Sequence, residues 1–122
     1  MNLEVFFTEE NSALLLLGLL FLGLAYYYRK NPPKKINHLY GYRTRRSMAN
    51  QEIWDFANTQ NAKDFWRVAI ATMITGVVLL PLHSSLKVFI QLVVLLLGLG
   101  IAIWHTEKQI DRFFDKNGNK KP

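Results

Sequence analysis

The sequence of 122 residues contains no cysteine, which excludes disulfide bonds, a thiolate nucleophile and a cysteine-ligated metal site. Charge is missing from three stretches, residues 13–28, 68–82 and 88–104, which hold no Asp, Glu, Lys or Arg. Most apolar residues of the chain are concentrated there, whereas the helices of a soluble bundle would show polar residues on one face at every turn. The pattern therefore predicts an integral membrane protein rather than a soluble bundle.

Aromatic residues stand at the borders of the three apolar stretches. The stretches are 16, 15 and 17 residues long, slightly short of the ~20 residues that a helix needs to cross a bilayer. Tyr and Trp favour the headgroup level, so border residues extend each stretch to a full span. These residues are Tyr26–Tyr28, Phe65, Trp66 and Trp104. We predict an all-α membrane protein with three transmembrane helices, at about residues 12–28, 66–82 and 88–104.

Lysine and arginine are absent from residues 1–12, which carry Glu4, Glu9 and Glu10. A cleaved signal peptide needs a positive n-region, so we expect the first stretch to remain as a span. Residues 29–67 hold nine of the 15 Lys and Arg residues and the C-terminal tail holds five, whereas the turn between spans two and three has one. The positive-inside rule then predicts an outer N-terminus, with the loop 29–65 and the tail 105–122 in the cytoplasm.

Small residues share one helix face in each of the last two predicted spans. They are Ala69, Thr72 and Gly76 in the second span, and Gly98 and Ala102 in the third. Faces of this kind let helices approach closely in lipid, where backbone contact replaces the hydrophobic effect. We expect spans two and three to form a closely packed hairpin.

The cytoplasmic loop begins with Pro32 and Pro33, which stop the first helix because proline lacks an N–H and its ring clashes with the preceding turn. Gly41 stands between two tyrosines, and we expect it to supply a positive-φ turn or a close approach of the backbone. Further along, Ser47 or Asn50 is a candidate helix N-cap.

The second half of the loop has the pattern of an amphipathic helix. Glu52 falls in its first turn, where the helix dipole favours an anion. The apolar face would carry Ile53, Trp54, Phe56 and Ala57, and the wet face Glu52, Asp55 and Asn58. We predict an amphipathic interfacial helix that lies at the inner membrane surface and leads into the second span.

A closely spaced motif occupies residues 37–57. The run Asn37-His-Leu-Tyr-Gly41-Tyr-Arg43-Thr44 is followed by Ser47, Glu52, Trp54 and Ala57. This pattern resembles the signature of the SdpI family, Gly-Tyr-Arg-Thr, then Ser, then Glu-x-Trp-x-x-Ala, between two spans. With the hairpin of spans and the tail, the resemblance extends over about residues 14–118. We therefore expect residues 1–122 to form a single SdpI-like membrane domain.

The family's namesake is an immunity protein against a secreted, sporulation-delaying peptide toxin. The resemblance implies structural or partner-binding roles for the motif residues Asn37, Gly41, Tyr42, Arg43, Thr44, Glu52 and Trp54. The namesake has additional N-terminal spans that this sequence does not match. The resemblance therefore does not imply the namesake's full immunity and signalling role.

The arginines of the loop allow two interpretations, a binding site for an acidic partner or a cluster held by anionic lipid headgroups. For Arg45 and Arg46 we favour lipid headgroups. Arg43 lies in the family motif beside the glycine, so we expect it to organise the loop through hydrogen bonds to a carboxylate or to carbonyl groups. Glu52 is its natural partner.

The remaining polar residues do not form a recognisable reaction centre. His83 lies on the predicted outer side and His38 and His105 on the inner side, so we expect no metal site and interpret the inner pair as interfacial hydrogen-bonding residues. Asp111 and Asp115 are expected on the solvated side of a surface helix. The spans hold few polar residues, and no stacking platform accompanies the basic residues. We therefore expect no enzymatic activity, no cofactor and no nucleic-acid partner.

Two functions remain open from the sequence. The first is a membrane immunity or resistance protein in the bacterial cytoplasmic membrane, with a peptide toxin and anionic lipid headgroups as partners. The second is a small accessory subunit of a larger inner-membrane complex. Homo-oligomer formation remains open for either function.

Overall fold

The computed structural model describes residues 8–122, which form three helices. They are α1 (Glu9–Lys30), α2 (Gln51–Leu79) and α3 (Lys87–Phe113), of 22, 29 and 27 residues. The predicted all-α fold is confirmed for this part of the chain. The prediction of an outer N-terminal tail falls largely on residues 1–7, which lie outside the described residues.

Capping side chains set the start of two helices. The Thr8 hydroxyl accepts a hydrogen bond from the N–H of Asn11 at 3.1 Å, at the start of α1. Asn50 Oδ1 accepts one from the N–H of Ile53 at 2.8 Å, so Asn50 is the N-cap of α2. At its other end α1 stops before Pro32, as the sequence predicted.

The first half of α2 differs from the predicted interfacial helix. Residues 51–79 form one continuous helix, with no break between the amphipathic segment and the predicted second span. Ile53 and Ala57 are fully buried and pack with Ile110 and Phe114 of the C-terminal region. Asn58, predicted on the wet face, is also buried. The apolar face of this segment is therefore covered by the protein's own tail.

Helix α2 lies between the other two helices, which make few contacts with each other. Glycines allow the close approach: a Cβ on Gly76 would lie 3.2 Å from the Leu14 carbonyl oxygen, and one on Gly98 would lie 2.9 Å from Val68 Cγ1. The buried Ala69, Thr72 and Ala102 belong to the same faces. The close packing predicted for these small residues is confirmed.

Two of the three helices in the described part of the chain, α1 and α3, are long and apolar enough to cross a membrane. Only 28% of the most apolar window of α1 and 17% of that of α3 are buried inside the protein. The core helix of a soluble protein would be mostly buried, whereas here large side chains such as Leu96 are 66% exposed. Exposed apolar surface of this extent marks contact with lipid or with a partner.

Helix α2 carries the predicted second span in its C-terminal half, after a polar N-terminal half. The helix ends at Leu79, before Pro81. Ile74 and Val78 are exposed on this half, as the apolar residues of α1 and α3 are. That α2 also crosses the membrane stays a prediction.

Candidate functional site

Residues 31–50, here called the motif loop, fold back onto α2 around one buried amide, that of Asn58. Its Oδ1 accepts hydrogen bonds from the Tyr42 N–H at 2.6 Å and from the Tyr28 hydroxyl at 2.7 Å. Its Nδ2 donates to the carbonyl oxygens of Trp54 at 3.0 Å and Tyr42 at 3.4 Å. Asn58 is 1% exposed, so these bonds stand in for water and join α1, the motif loop and α2 at a single side chain.

Gly41 has the positive φ that the sequence predicted, +107°. The position is also crowded. A Cβ added there would lie 2.5 Å from Pro33 Cγ and 2.7 Å from Asn58 Oδ1. Glycine therefore serves both proposed purposes, the left-handed conformation and the close approach of the loop to α2.

The motif residues Asn37 and Trp54 position the first part of the motif loop. Asn37 Oδ1 accepts hydrogen bonds from the N–H groups of Leu39 at 2.9 Å and Tyr40 at 2.7 Å, a local turn just before Gly41. Trp54 is fully buried, and its indole N–H donates to the Pro33 carbonyl oxygen at 2.9 Å. The indole thereby fixes the start of the loop to α2.

Thr44 and Ser47 close a tight turn after Tyr42. The Thr44 N–H donates to Ser47 Oγ at 2.8 Å, and the Ser47 N–H donates to Thr44 Oγ1 at 3.2 Å. The Ser47 hydroxyl is fully buried and donates a hydrogen bond to the Tyr42 carbonyl oxygen at 2.9 Å. These bonds satisfy backbone groups of the loop at Tyr42, Thr44 and Ser47.

Tyr42 connects the motif loop to α3. Its hydroxyl donates to Glu107 Oε1 at 2.6 Å and lies 3.4 Å from the Ile103 carbonyl oxygen. Burial raises the pKa of the Tyr42 hydroxyl, and the neighbouring Glu107 carboxylate raises it further. The phenol therefore remains a neutral donor to the carboxylate at physiological pH.

Arg43 and Glu52 do not form the pair that the sequence suggested. Arg43 is exposed, and its guanidinium donates to the carbonyl oxygen of His38. Glu52 is exposed in the first turn of α2, near Phe56 and Lys120. Arg43 therefore bonds to a carbonyl group and not to Glu52, and its organising role stays a prediction.

Arg46 has the organising contacts that were expected of Arg43. Its guanidinium pairs with the Asp111 carboxylate and donates to the carbonyl oxygens of Phe114 at 3.3 Å and Asp115 at 3.4 Å. The donors of Arg46 are therefore directed at the C-terminal tail, whereas the sequence favoured lipid headgroups for this residue. Asp111 is on an exposed side of α3, as predicted, although its carboxylate pairs with Arg46, whereas Asp115 lies beyond the end of the helix.

The contacts of Arg46 predict a measurable difference between two neighbouring arginines. We expect Arg46→Gln to lower thermal stability in mild detergent by about 1 kcal/mol or more, because three tail acceptors lose their donor. Arg45 is exposed, so Arg45→Gln is expected to melt as the unmodified chain does. Thermal melting followed by circular dichroism checks both variants, and equal melting would show that Arg46 acts through its charge alone.

A second buried polar cluster joins α2 to α3 around Asp64, which is 5% exposed. Asp64 Oδ2 lies 2.8 Å from His105 Nδ1 and accepts from the Thr106 hydroxyl at 3.1 Å, and Asp64 Oδ1 accepts from Arg67 at 3.3 Å. The imidazole of His105 and the hydroxyl of Thr106 bind the same carboxylate rather than each other. The cluster therefore links α2 to α3 by hydrogen bonds and does not have the geometry of a nucleophile–base pair. Within residues 8–122, no three His, Asp or Glu side chains converge as metal ligands.

At the opposite end of the helices, the ammonium group of Lys87 is buried. Lys87 is 3% exposed, and its Nζ donates to Asn11 Oδ1 and to the carbonyl oxygens of Leu80 at 3.0 Å and Leu82 at 2.9 Å. One side chain at the start of α3 thereby caps the end of α2 and holds α1. Deeper in the bundle, Gln91 Nε2 donates to the Leu14 carbonyl oxygen at 2.9 Å.

The structure thus brings six of the seven predicted motif residues together in and around the motif loop and leaves Glu52 apart. Sequence reasoning missed the residues that hold the loop and the helices in place. They are Tyr28, Asn58, Asp64, Thr106 and Lys87. The available signal was three polar residues, Asn58, Asn61 and Asp64, spaced three apart along α2, which gives them one helix face.

The fold and its exposed apolar helices define the class as a helical membrane protein. A family model described as the SdpI/YfhL protein family matches residues 34–105, which include most of the motif loop, all of α2 and most of α3. A relative from Bacillus subtilis (strain 168), described as the uncharacterized protein YfhL, is 42% identical over 79 residues. The matched region is 65% of this chain and 68% of the relative. No solved structure matches. The chain belongs to the SdpI/YfhL family.

Proposed function

We propose that this chain is a membrane-embedded immunity or resistance protein that protects the bacterial cytoplasmic membrane against a peptide toxin. The observation that carries the proposal is family membership over residues 34–105. The fold adds support, because its buried polar side chains form hydrogen bonds between helices rather than surrounding a reaction centre. The proposed role is therefore one of binding, either of the peptide or of the membrane target that the peptide attacks.

In this proposal all three helices cross the membrane, with the N-terminus outside and the C-terminus in the cytoplasm. Large apolar side chains are exposed on each helix, for example Leu20 on α1, Val78 on α2 and Leu97 on α3. Fourteen of the 15 Lys and Arg residues lie on the proposed inner side. The exception is Lys87, whose charge is buried against carbonyl groups.

The topology predicts the activity of a reporter that works in the cytoplasm alone. Such a reporter should be active at the C-terminus and within the loop at residues 31–49, and inactive at the N-terminus. The reason is the bias of Lys and Arg, which retains the loop and the tail on the cytoplasmic side. Activity at both termini would contradict the odd number of spans.

The proposed contact surface for the toxin is the outer turn between α2 and α3 together with the exposed side of the α2–α3 hairpin. Leu82, Leu86 and Phe89 are exposed there. A membrane-active peptide that reaches the outer leaflet meets these side chains first. The motif loop lies on the cytoplasmic side in this proposal and holds the three helices together.

Protection of living cells tests the immunity proposal. Toxin-sensitive bacteria that produce the chain should keep their membrane potential when a purified sporulation-delaying peptide is added, as measured with a potential-sensitive dye. The variant Leu82→Ser, Leu86→Ser should lose this protection while its membrane content stays unchanged. A matched control, Leu96→Ser, alters an exposed residue in the middle of α3 and should still protect. Depolarisation of cells that contain the unmodified chain would contradict the proposal.

The accessory-subunit function has its own support in two open glycine positions. A Cβ on Gly23 of α1 or on Gly100 of α3 would have no heavy atom within 4 Å, apart from the glycine's own surroundings in the helix. Another transmembrane helix could approach the backbone at these positions.

Purification in mild detergent distinguishes the two functions. A stoichiometric larger partner favours the subunit, and a monomer or homodimer favours immunity.

A further inference from the structure

A groove lies near the C-terminal end of α1 and is lined by residues of all three helices and of the motif loop. Its volume is about 390 Å³. The floor is formed by Asn61 and Phe65 of α2, and one wall by Leu99 and Ile103 of α3. Residues 41–44 of the motif loop also line the groove. The segment Gly-Tyr-Arg-Thr of the family motif therefore lines one part of a groove that is otherwise largely apolar.

The level of the groove coincides with the inner aromatic border of the predicted spans. The rings of Tyr28 and Phe65 lie with their centroids 6.3 Å apart, and Trp104 directly follows Ile103 of the groove wall. Tyr and Trp favour the depth of the lipid headgroups. In the proposed topology the groove therefore opens at the headgroup level of the inner leaflet.

One cationic side chain lies at the groove, and the Glu107 carboxylate nearby is already bonded to the hydroxyl of the lining residue Tyr42. Arg43 lines it, and none of the described residues that line it is Asp or Glu. The Arg43 guanidinium makes one hydrogen bond to the protein, to the carbonyl oxygen of His38, and the side chain is exposed. A guanidinium has five N–H donors in a planar fork that matches a phosphate. Thr44, next to it, adds a hydroxyl.

We propose that this groove binds one anionic phospholipid, with its phosphate at Arg43 and Thr44. The upper part of an acyl chain lies along Phe65, Leu99 and Ile103. Ile103 is 50% exposed, so the groove wall continues into the exposed apolar surface of α3. The site rests on the proposed topology and is independent of the proposed immunity.

Native mass spectrometry in mild detergent with added phosphatidylglycerol tests the site. We expect one phosphatidylglycerol to be retained per chain, and phosphatidylcholine to be retained less. Arg43→Gln should weaken retention about fivefold, the effect of one cationic contact near a membrane surface. The matched control is Arg45→Gln, which removes an exposed arginine that does not line the groove. Equal retention by the two variants would overturn the proposal, because net charge alone would then hold the lipid.

The apolar part of the groove is tested separately. Leu99→Trp fills the groove and should abolish retention of phosphatidylglycerol, whereas Leu96→Trp, on the exposed face of α3, should leave it unchanged. Circular dichroism melting of each variant confirms that it is folded. Unchanged retention by a folded Leu99→Trp variant would overturn the site, and so would displacement of the lipid by equimolar glycerol 3-phosphate. Loss of toxin protection with intact lipid retention would count against the proposed immunity alone.

Discussion

The variant Asn58→Leu is expected to lose most of its folded yield. Leucine has the same branched arrangement of side-chain heavy atoms as asparagine, with larger terminal methyl groups, but offers no hydrogen bonds. The Tyr42 N–H and the Tyr28 hydroxyl, both bonded to Asn58 Oδ1 within 2.7 Å, would then be buried without their partner. Each orphaned group costs roughly 1–3 kcal/mol, so the total is on the order of 2–6 kcal/mol. Such a loss is a large fraction of the ~5–15 kcal/mol by which domains are stable.

The matched control for Asn58→Leu is Thr59→Leu, one residue further along the same helix. Thr59 is exposed, so its replacement should leave folded yield and melting unchanged. Leucine is a better helix former than asparagine, so a loss at Asn58 cannot come from helix propensity. Yield after size-exclusion chromatography in mild detergent and melting by circular dichroism are the measurements. Equal behaviour of the two variants would show that the buried amide is not required.

A double-mutant cycle separates the Tyr28 contact from the rest. Tyr28→Phe removes the hydroxyl that Asn58→Leu would leave orphaned. The double variant is therefore expected to lose less stability than the two single losses added together, because one orphaned group is no longer present. Additive losses would mean that the hydroxyl finds another partner.

The features that the sequence predicted correctly depend on local chemistry. Proline ends α1, Asn50 caps α2, and Gly41 has a positive φ, because each property follows from one residue and its immediate neighbours. The small-residue faces of the hairpin belong to the same group, since their spacing alone defines a helix face. The long apolar stretches predicted α1 and α3 for the same reason.

The features that the sequence missed depend on contacts between distant segments. Arg46 and Asp111 are 65 residues apart, and nothing near either residue identifies the other. Asn58 was predicted on the wet face of the amphipathic segment, since the polar stripe of Asn58, Asn61 and Asp64 does not reveal, on an isolated helix, which segment covers it. The stripe is buried because the motif loop and α3 cover it with matching donors and acceptors. Pairing of this kind becomes visible only when the fold is known.

The variant Gly41→Val is expected to destabilise the motif loop through two separate effects. A side chain at φ +107° strains the backbone by about 1–3 kcal/mol. In addition, the new Cβ would lie 2.5 Å from Pro33 Cγ and 2.7 Å from Asn58 Oδ1. Forced overpacking of this kind costs typically about 1–3 kcal/mol. The clash also pushes apart the Asn58 amide and the Tyr42 N–H, which are bonded at 2.6 Å.

Gly23→Val is the matched control, because a Cβ at Gly23 meets no heavy atom within 4 Å and the residue is helical. Its melting temperature should stay the same or rise slightly, since glycine within a helix is less stable than alanine by roughly 0.5–1 kcal/mol.

Gly41→Asn then separates the two effects at Gly41. Asparagine tolerates positive φ far better than valine but carries the same Cβ. If the contact with Pro33 and Asn58 dominates, both Gly41 variants melt well below Gly23→Val; if backbone strain dominates, Gly41→Asn recovers most of the loss. Melting of Gly41→Val at the temperature of Gly23→Val would remove Gly41 from the residues that hold the loop against α2.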